Sequence, residues 1–447
     1  MFSTPIPVRR AALMGVGLAS LLGVGVVVAG SIDTAATVTA PAQRLDEPVG
    51  DLAVVFDVGD VDRFVVEASD RAARRVGGTS TVGRTGSLGM RRITRGQSTV
   101  HAPPDGWLIP MVYTSLPRGS IGRVFGADVS AVLGPDAVVM NELTAGQTGT
   151  LVGDVVVMQA ADGSAVPLTV TGIRPYDQVG SAELVFTFDV AERLGATADT
   201  RTVIYGFDDR VSLDDALSAE ALTGRTDTKV NRSWDSPDPD DTLSTARTKV
   251  ALGEPWYRFA ADGSVEMHPT WKATNLTDGR VLLDPTIRIR VQCHVEVVDD
   301  LRAALADVAA AGLASEIDVA NANSAGGCYV PRFSRVSGQI GFLSRHTYGM
   351  ALDTNTGSNC EGCRPTMNCD VVRIFRRHGF AWGGNFRRPD GMHFEWVGQP
   401  RDQIAYPSTF CRNLIAASPD GASADRLGAS ALLAGDEAMS SEHPASP

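Results

Sequence analysis

The sequence predicts an α+β protein: a β-rich α+β domain behind an N-terminal transmembrane helix, and then a second domain that combines helices with strands. Three observations support this. An uncharged apolar segment lies near the N-terminus, short Val-, Thr- and Ile-rich runs broken by Gly and Asp continue to about residue 225, and the last third combines helical periodicity with strand-like runs. At roughly 150 residues per domain, 447 residues accommodate two domains and a tail.

The N-terminal segment predicts a membrane anchor. Residues 1–10 carry Arg9 and Arg10 but no acid, and residues 11–30 contain no charge. About 20 apolar residues span a bilayer, and the preceding arginines favour a cytoplasmic N-terminus. We therefore predict a single-pass protein of the cell membrane whose remaining chain is extracytoplasmic. The alternative is a cleaved signal peptide, which could be of the twin-arginine type and would make the protein secreted. The apolar region of a signal peptide, however, usually has only about 7 to 15 residues.

The first folded region is predicted to be rich in strands. Residues 31–50 have the composition of a stalk, and residues 51–225 contain the Val- and Thr-rich runs. Asp162 and Gly163 lie between two such runs, a pattern typical of a β-hairpin. A short helix is predicted to end near Gly195. No group of chemically reactive residues stands out in this region.

The second domain is predicted over residues 251–415. The preceding segment, 226–250, is acidic and contains prolines, which favours a linker, and the Ala- and Ser-rich tail, 416–447, is predicted to be disordered. Within the domain, "VVDDLRAALADVAAAGL" and "NCDVVRIFRRHGF" have the apolar spacing of helices. Strand-like runs, "IRIRVQC", "MALDTN" and "HFEWV", surround them.

Charge and cysteine content restrict the environment of the protein. The net charge of -12 argues against nucleic acid as a partner, because nucleic acids bind basic surfaces. An even number of cysteines in an exported chain predicts disulfides, whose pairing the spacing leaves open. A zinc knuckle built on "CEGC" is the alternative, but it lacks a clean fourth ligand. All six cysteines lie in the second domain: Cys293, Cys328, Cys360, Cys363, Cys369 and Cys411.

Two short motifs together predict a metal site. In "SRHTYGMALD", a turn at a glycine would bring His346 over the strand that carries Asp353, and "DGMHFEW" supplies His393. Two histidines and one aspartate can hold a zinc ion and leave a fourth position for water. Asp390, three residues before His393, could take a proton from that water. Glu395 shares a strand face with His393, so it is predicted to orient a ligand and is the second candidate base.

These two motifs resemble the SxHxxGxAxD and D/ExxH pair of zinc D-Ala-D-Ala carboxypeptidases and their VanY-like and endolysin-like endopeptidase relatives. The resemblance covers residues 255–400 and implies a hedgehog-like fold, an antiparallel sheet flanked by helices. It implies one zinc ion held by His346, Asp353 and His393, with Asp390 as the catalytic base where the dipeptidase branch usually has Glu. It also implies that Arg332, in "YVPRF", binds the substrate carboxylate or the oxyanion. Ser344 would make a minor contact with the substrate or with a ligand, and Trp382, Gly383 and Gly384 would shape the cleft.

The first region has a resemblance of its own. "GPDAVVMNELTAGQTGTLVGDVVVM" and the following "LTVTGI" resemble the extracytoplasmic core domain of FtsX- or MacB-type transporter permeases. This resemblance implies a protein-interaction or spacer module, and therefore a protein partner for the first domain.

The sequence thus predicts an outward-facing zinc peptidase that cuts a peptide bond in the peptidoglycan stem, with carboxypeptidase and endopeptidase action both open. A non-catalytic peptidoglycan-binding or scaffold protein is the main alternative. The intact set of ligands and base weighs against it, because degenerate sites usually lose a ligand. A cytosolic zinc hydrolase is the third alternative, and the apolar N-terminal segment weighs against that.

Overall fold

The computed structural model describes residues 45, 49–57, 60–179, 182–225, 228–318, 325–334, 341–405 and 408–414. The predicted anchor and tail, together with most of the predicted stalk, lie outside these residues. Within the described ranges, no helix is long and apolar enough to cross a membrane. The described chain mixes helices and strands, which confirms the α+β class.

The first part of the chain is a mixed sheet with helices on its faces. Its strands are β1 (Leu52–Asp57), β2 (Thr79–Arg95), β3 (Ser98–His101), β4 (Ile109–Leu116), β5 (Ala137–Asn141), β6 (Val155–Gln159), β7 (Ala165–Arg174), β8 (Leu184–Thr187), β9 (Arg201–Tyr205) and β10 (Thr228–Arg232). Its helices are α1 (Arg63–Arg75), α2 (Arg118–Val124), α3 (Ala127–Val132), α4 (Glu142–Thr148), α5 (Phe188–Arg193) and α6 (Arg210–Ala219).

The strand order is β10-β1-β9-β2-β4-β8-β5-β7-β6, and β6 also pairs with β2, so the six strands from β2 to β6 in this order close into a barrel. Closure follows from the length of β2, which pairs with β4 and β9 along one part and with β6 near its end. Alternate residues such as Met90, Met111 and Phe186 fill the interior. The predicted Asp-Gly hairpin is present, because β6 and β7 pair antiparallel and Gly163 adopts a φ of 83°.

The second part contains the predicted helices and a small antiparallel sheet. Its helices are α7 (Thr245–Leu252), α8 (Pro269–Asn275), α9 (Val298–Ala310) and α10 (Cys369–Arg377). Its strands are β11 (Tyr257–Phe259), β12 (Val265–Met267), β13 (Val281–Leu282), β14 (Arg290–Val291), β15 (Ala325–Gly326), β16 (Ala351–Thr354), β17 (Phe380–Trp382) and β18 (His393–Trp396). The last four form a sheet in the order β15-β16-β18-β17, and the buried faces of α9 and α10 pack in the same core as its apolar residues.

The segment predicted as a linker, 226–250, is folded where the structure describes it. Strand β10 pairs antiparallel with β1 and so extends the first sheet beyond residue 225. Asp240 is buried and forms an ion pair with Arg376 of α10, and it accepts a hydrogen bond from the Trp382 backbone N–H at 3.0 Å. Composition favoured a solvated linker because the segment is charged, but Asp240 and Lys249 form ion pairs with buried partners.

A buried ion pair joins α7 to the barrel. Lys249 Nζ lies 2.8 Å from Glu183 Oε1, and both side chains are almost fully buried. The other oxygen of Glu183 accepts a hydrogen bond from the Val112 backbone N–H at 2.9 Å. The two parts of the chain therefore share a dry, charged contact.

We expect Glu183→Gln to lower the free energy of unfolding by about 3–5 kcal/mol, because it leaves the Lys249 charge buried and uncompensated. Urea denaturation measures the change. The matched control is Glu67→Gln, which breaks the exposed pair between Arg63 and Glu67 and should have a far smaller effect. Equal losses in the two variants would contradict the prediction.

The cysteines pair within the second part. The disulfides are Cys293–Cys328, Cys360–Cys363 and Cys369–Cys411, and no cysteine is free. The two cysteines of "CEGC" are bonded to each other, so the structure has the disulfide alternative and not the zinc knuckle.

Candidate active site

Strands β16 and β18 bring Asp353 and His393 together. The two strands are antiparallel, and their register places Asp353 directly opposite His393. Cross-strand partners lie on the same face of a sheet, so the two side chains meet. His393 Nδ1 lies 3.0 Å from Asp353 Oδ1.

His346 reaches the same point from a short 3-10 turn, Arg345–Tyr348, which the Ser344 hydroxyl caps by accepting the His346 backbone N–H at 3.4 Å. Gly349 ends the turn with a φ of 70°, and a Cβ there would lie 2.8 Å from a backbone nitrogen, so both conformation and space require glycine. His346 Nδ1 donates to the Gly327 carbonyl at 3.1 Å. This contact leaves Nε2 facing Asp353 Oδ2 at 3.2 Å.

The three residues fit a metal ion. One donor atom from each of His346, Asp353 and His393 lies within 4.8 Å of the others, and all three residues are buried. His346 Nε2 is a buried atom without a hydrogen-bond partner, although it lies close to the carboxylate. Zinc bonds of about 2.0–2.2 Å in tetrahedral geometry need ligand atoms a little over 3 Å apart, which the two distances to Asp353 approach.

The electrostatic environment of Asp353 and His393 favours a cation at this point. Burial alone would raise the pKa of Asp353, but the charges of His346 and His393, together with the hydrogen bond from His393, hold it well below its usual range. Burial would likewise lower the pKa of His393, yet hydrogen bonds to Asp353 and Glu395 raise it to about 10. The metal-free site thus retains a proton on His393 that a metal ion would replace.

Asp390 lies beside these three residues with its carboxylate buried. Neither carboxylate oxygen has a hydrogen-bond partner. Burial, reinforced by the charges of Asp353 and Glu361 and opposed by those of His393 and Arg332, raises its pKa to about 8. A buried carboxyl group with a pKa near neutrality is suited to proton transfer.

Gly383 holds the Asp390 backbone in place. Its carbonyl accepts the Asp390 N–H at 2.8 Å, and a Cβ on Gly383 would lie 2.6 Å from the Asp390 carbonyl oxygen. Trp382 is fully buried, and its indole N–H donates to the Gly391 carbonyl at 2.9 Å. Trp382 and Gly383 therefore hold the backbone of Asp390 and Gly391 through direct contacts.

Arg332 and Ser344 occupy the same neighbourhood. The Ser344 N–H donates to the Arg332 carbonyl at 3.0 Å, and the Arg332 N–H donates to the Thr347 hydroxyl at 2.9 Å. The half-buried Arg332 is close enough for its charge to lower the pKa of Asp390. Ser344 is buried, and because it caps the turn that carries His346, it lies next to a candidate metal ligand.

Glu395 lies behind His393, as its shared strand face predicted. It is fully buried, and its Oε2 lies 3.5 Å from His393 Nε2. Its Oε1 lies 3.1 Å from Arg345 Nε. This arrangement suits a residue that orients a ligand and leaves Asp390 as the carboxylate beside the ligand cluster.

Two charged residues in the site were not identified from the sequence. Glu361 has a buried side chain, pairs with Arg388 at 3.3 Å and forms an isolated β-bridge with Asp390. The disulfide between Cys360 and Cys363 closes the loop that carries it. Arg345 is buried beside His346, and its position inside the first motif was the only available signal.

The other histidines in the described residues have structural roles. His378 pairs with Asp307 at 2.9 Å at the end of α10. His294 donates to the Leu252 carbonyl at 2.9 Å, and burial lowers its pKa. His268 caps α8, and His101 pairs with Glu254.

Comparison with family models finds a match in the part of the chain that carries this site. Residues 337–396 match a family model described as D-alanyl-D-alanine carboxypeptidase, a span that contains His346, Asp353, Asp390 and His393. Comparison with curated proteins finds no significant match.

Solved structures also match part of the chain. Among them is the extracellular domain of the noncanonic ABC-type transporter YknZ from Gram-positive bacteria, with 13% identity over 40% of this chain and 99% of that chain. The TM-score of 0.25 is too low to establish a shared fold.

Proposed function

We propose that the protein is a zinc-dependent peptidase that acts on peptidoglycan stem peptides. The observation that carries this proposal is the convergence of His346, Asp353 and His393 on one buried point, with the unpartnered carboxylate of Asp390 beside it. The family match over the same residues supports a D-Ala-D-Ala carboxypeptidase-like activity. The small antiparallel sheet with α9 and α10 is compatible with the hedgehog-like fold of that family.

Each residue has a distinct task in this proposal. His346, Asp353 and His393 would hold one zinc ion, which polarises a peptide carbonyl and lowers the pKa of water. Asp390 accepts the proton of the attacking water and passes it to the leaving amine. Arg332 binds the substrate carboxylate or the developing oxyanion through its guanidinium. Glu395 keeps the ring of His393 in place.

The proposed setting is the outer side of the cell membrane, with residues 11–30 as a single-pass anchor, or a secreted form if that segment is cleaved. Three disulfides among the described residues support an oxidising compartment. A peptidoglycan substrate lies on the same side of the membrane. We further propose that the sheet of the first part, 51–225, binds a protein partner.

Mass spectrometry of muropeptides incubated with the full chain tests the activity. Loss of a terminal alanine would identify a carboxypeptidase, and cleavage closer to the glycan would identify an endopeptidase. The metal content of the same preparation should be one zinc per chain. A chain that holds zinc but leaves every muropeptide intact would overturn the proposal in favour of a non-catalytic peptidoglycan-binding protein.

Zinc binding should release protons at neutral pH. His393 has a pKa of about 10 in the metal-free protein, so it is protonated at pH 7.5 and must lose that proton to become a ligand. We expect about one proton released per zinc ion from this residue, and a zinc affinity that rises with pH up to that pKa. Calorimetry in buffers of different ionisation enthalpy measures the release. Binding without proton release would show that His393 is not a ligand.

A further inference from the structure

Arg345 is a buried cation with partners on two sides. It is 3% exposed and lies between the residue that caps the ligand turn and the ligand His346. On one side, its Nε lies 3.1 Å from Glu395 Oε1. On the other side, its guanidinium donates to the Thr248 hydroxyl at 3.0 Å and to the Leu243 carbonyl.

Glu395 connects Arg345 to the metal ligands. Within the described chain, its charged neighbours at salt-bridge distance are Arg345 and His393. His393 turns Nδ1 towards Asp353 and Nε2 towards Glu395, so the carboxylate faces the ring nitrogen that points away from the ligand cluster. A fully buried carboxylate needs a compensating cation, and Arg345 supplies it without occupying the ligand position.

The other partners of Arg345 lie on or just before α7, outside the matched family span. Thr248 is fully buried on this helix, and the next residue, Lys249, forms the buried ion pair with Glu183 of the barrel. The helix therefore touches the first part of the chain through Lys249 and the candidate metal site through Thr248. A rotation of α7 would change both contacts together.

We propose that Arg345 is a positioning residue that α7 holds in place, and that it sets the orientation of His393 through Glu395. This inference rests on the proposed function, since it concerns the same metal site. It extends that function by making α7 part of the site. A series of contacts through Lys249, Thr248, Arg345 and Glu395 connects the barrel to the candidate ligand His393. A partner that moves α7 would change the zinc affinity of the second part.

A double-mutant cycle tests whether Arg345 acts through Glu395. We expect Arg345→Met to lower zinc affinity 10–100-fold, the range for residues that orient metal ligands. Glu395→Gln should have an effect of similar size, and the double variant should be about as weak as Glu395→Gln alone. Competition with a chromogenic chelator measures the affinity. Additive effects, or an unchanged affinity in Arg345→Met, would overturn the proposal.

Two further variants separate positioning from folding. Thr248→Val keeps the shape of the side chain and removes the hydroxyl, so it should shift the visible spectrum of the cobalt-substituted protein in the same direction as Arg345→Met, by a smaller amount. Arg345→Lys keeps the charge and should restore part of the affinity. Arg376→Met is the matched control, because it breaks another buried arginine pair, that with Asp240, and Arg376 contacts none of the candidate ligands. A control that weakens zinc binding as much as Arg345→Met would refute a specific role.

The readouts distinguish this inference from the proposed activity. Zinc affinity and the cobalt spectrum need no substrate. If the variants behave as expected but no muropeptide is cut, the peptidase proposal fails and the positioning role stands. If muropeptides are cut and Arg345→Met binds zinc normally, the positioning role fails alone.

Discussion

Asp390→Asn should lower kcat by about 10²–10⁴-fold while zinc remains bound, because the amide keeps the shape of the carboxylate but cannot accept a proton. The zinc ligands are untouched, since Asp390 is not among the three converging donors. Muropeptide hydrolysis and metal analysis on the same preparation measure the two quantities. The combination of lost activity and retained metal would distinguish a base from a ligand.

The same variant has an expected effect on the metal-free protein. Asp390 has a pKa of about 8 when folded, above the ordinary value of 3.8, so the fold favours its neutral form. Its contribution to stability is therefore lost as pH rises from about 4 through 8. The metal-free Asp390→Asn chain should be more stable than the unchanged chain at pH 8, and the difference should disappear near pH 4. Thermal unfolding with a chelator present measures it.

Asp262→Asn is the matched control for this prediction. Asp262 lies in the exposed turn between β11 and β12 of the same part of the chain, far in sequence from the motifs. Hydrogen bonds from Ser264 lower the pKa of Asp262, so its replacement should leave kcat unchanged and should not make the metal-free chain more stable at pH 8. An Asp390→Asn chain that retains full activity would remove Asp390 as the base and leave Glu395 as the next candidate.

The candidate ligands could be predicted because local rules determine them. Because side chains alternate along a strand, the sequence indicates which neighbours share a strand face with Asp353 and with Glu395. A turn at a glycine could bring His346 back over the strand that carries Asp353. The exact register, with Asp353 opposite His393, required the structure. The pairing of the disulfides also depended on folding, since the spacing allowed several arrangements.

The supporting contacts could not be predicted, because they join distant parts of the chain. Arg345 meets Thr248 across 97 residues of sequence, and Asp240 meets Arg376 across 136. From composition, residues 226–250 resemble a solvated linker, because the sequence does not distinguish a charged residue that has a buried partner from a charged residue that is exposed. The barrel could not be predicted either, since its closure depends on the pairing of the C-terminal end of β2 with β6.

Removing a ligand should have the largest effect on metal binding. We expect His346→Ala to weaken zinc affinity by more than the 10–100-fold expected for an orienting residue, because a donor atom itself is lost. His346 suits this test because its ring contacts Asp353 and the Gly327 carbonyl, whereas His393 also faces Glu395. Activity should fall with the metal, and excess zinc should restore part of it if the remaining two ligands still bind.

Thermal unfolding across a zinc titration measures this loss without a substrate. A ligand that binds only the folded chain stabilises it by about 2.7 kcal/mol at 100 times its Kd, so the unchanged chain should melt at progressively higher temperature as zinc is added. His346→Ala should show no such rise at the same concentrations. His378→Ala, which removes a histidine paired with Asp307 at the end of α10, should behave like the unchanged chain. If His346→Ala is stabilised by zinc as strongly as His378→Ala, the ion binds elsewhere, and the convergence of His346, Asp353 and His393 is structural.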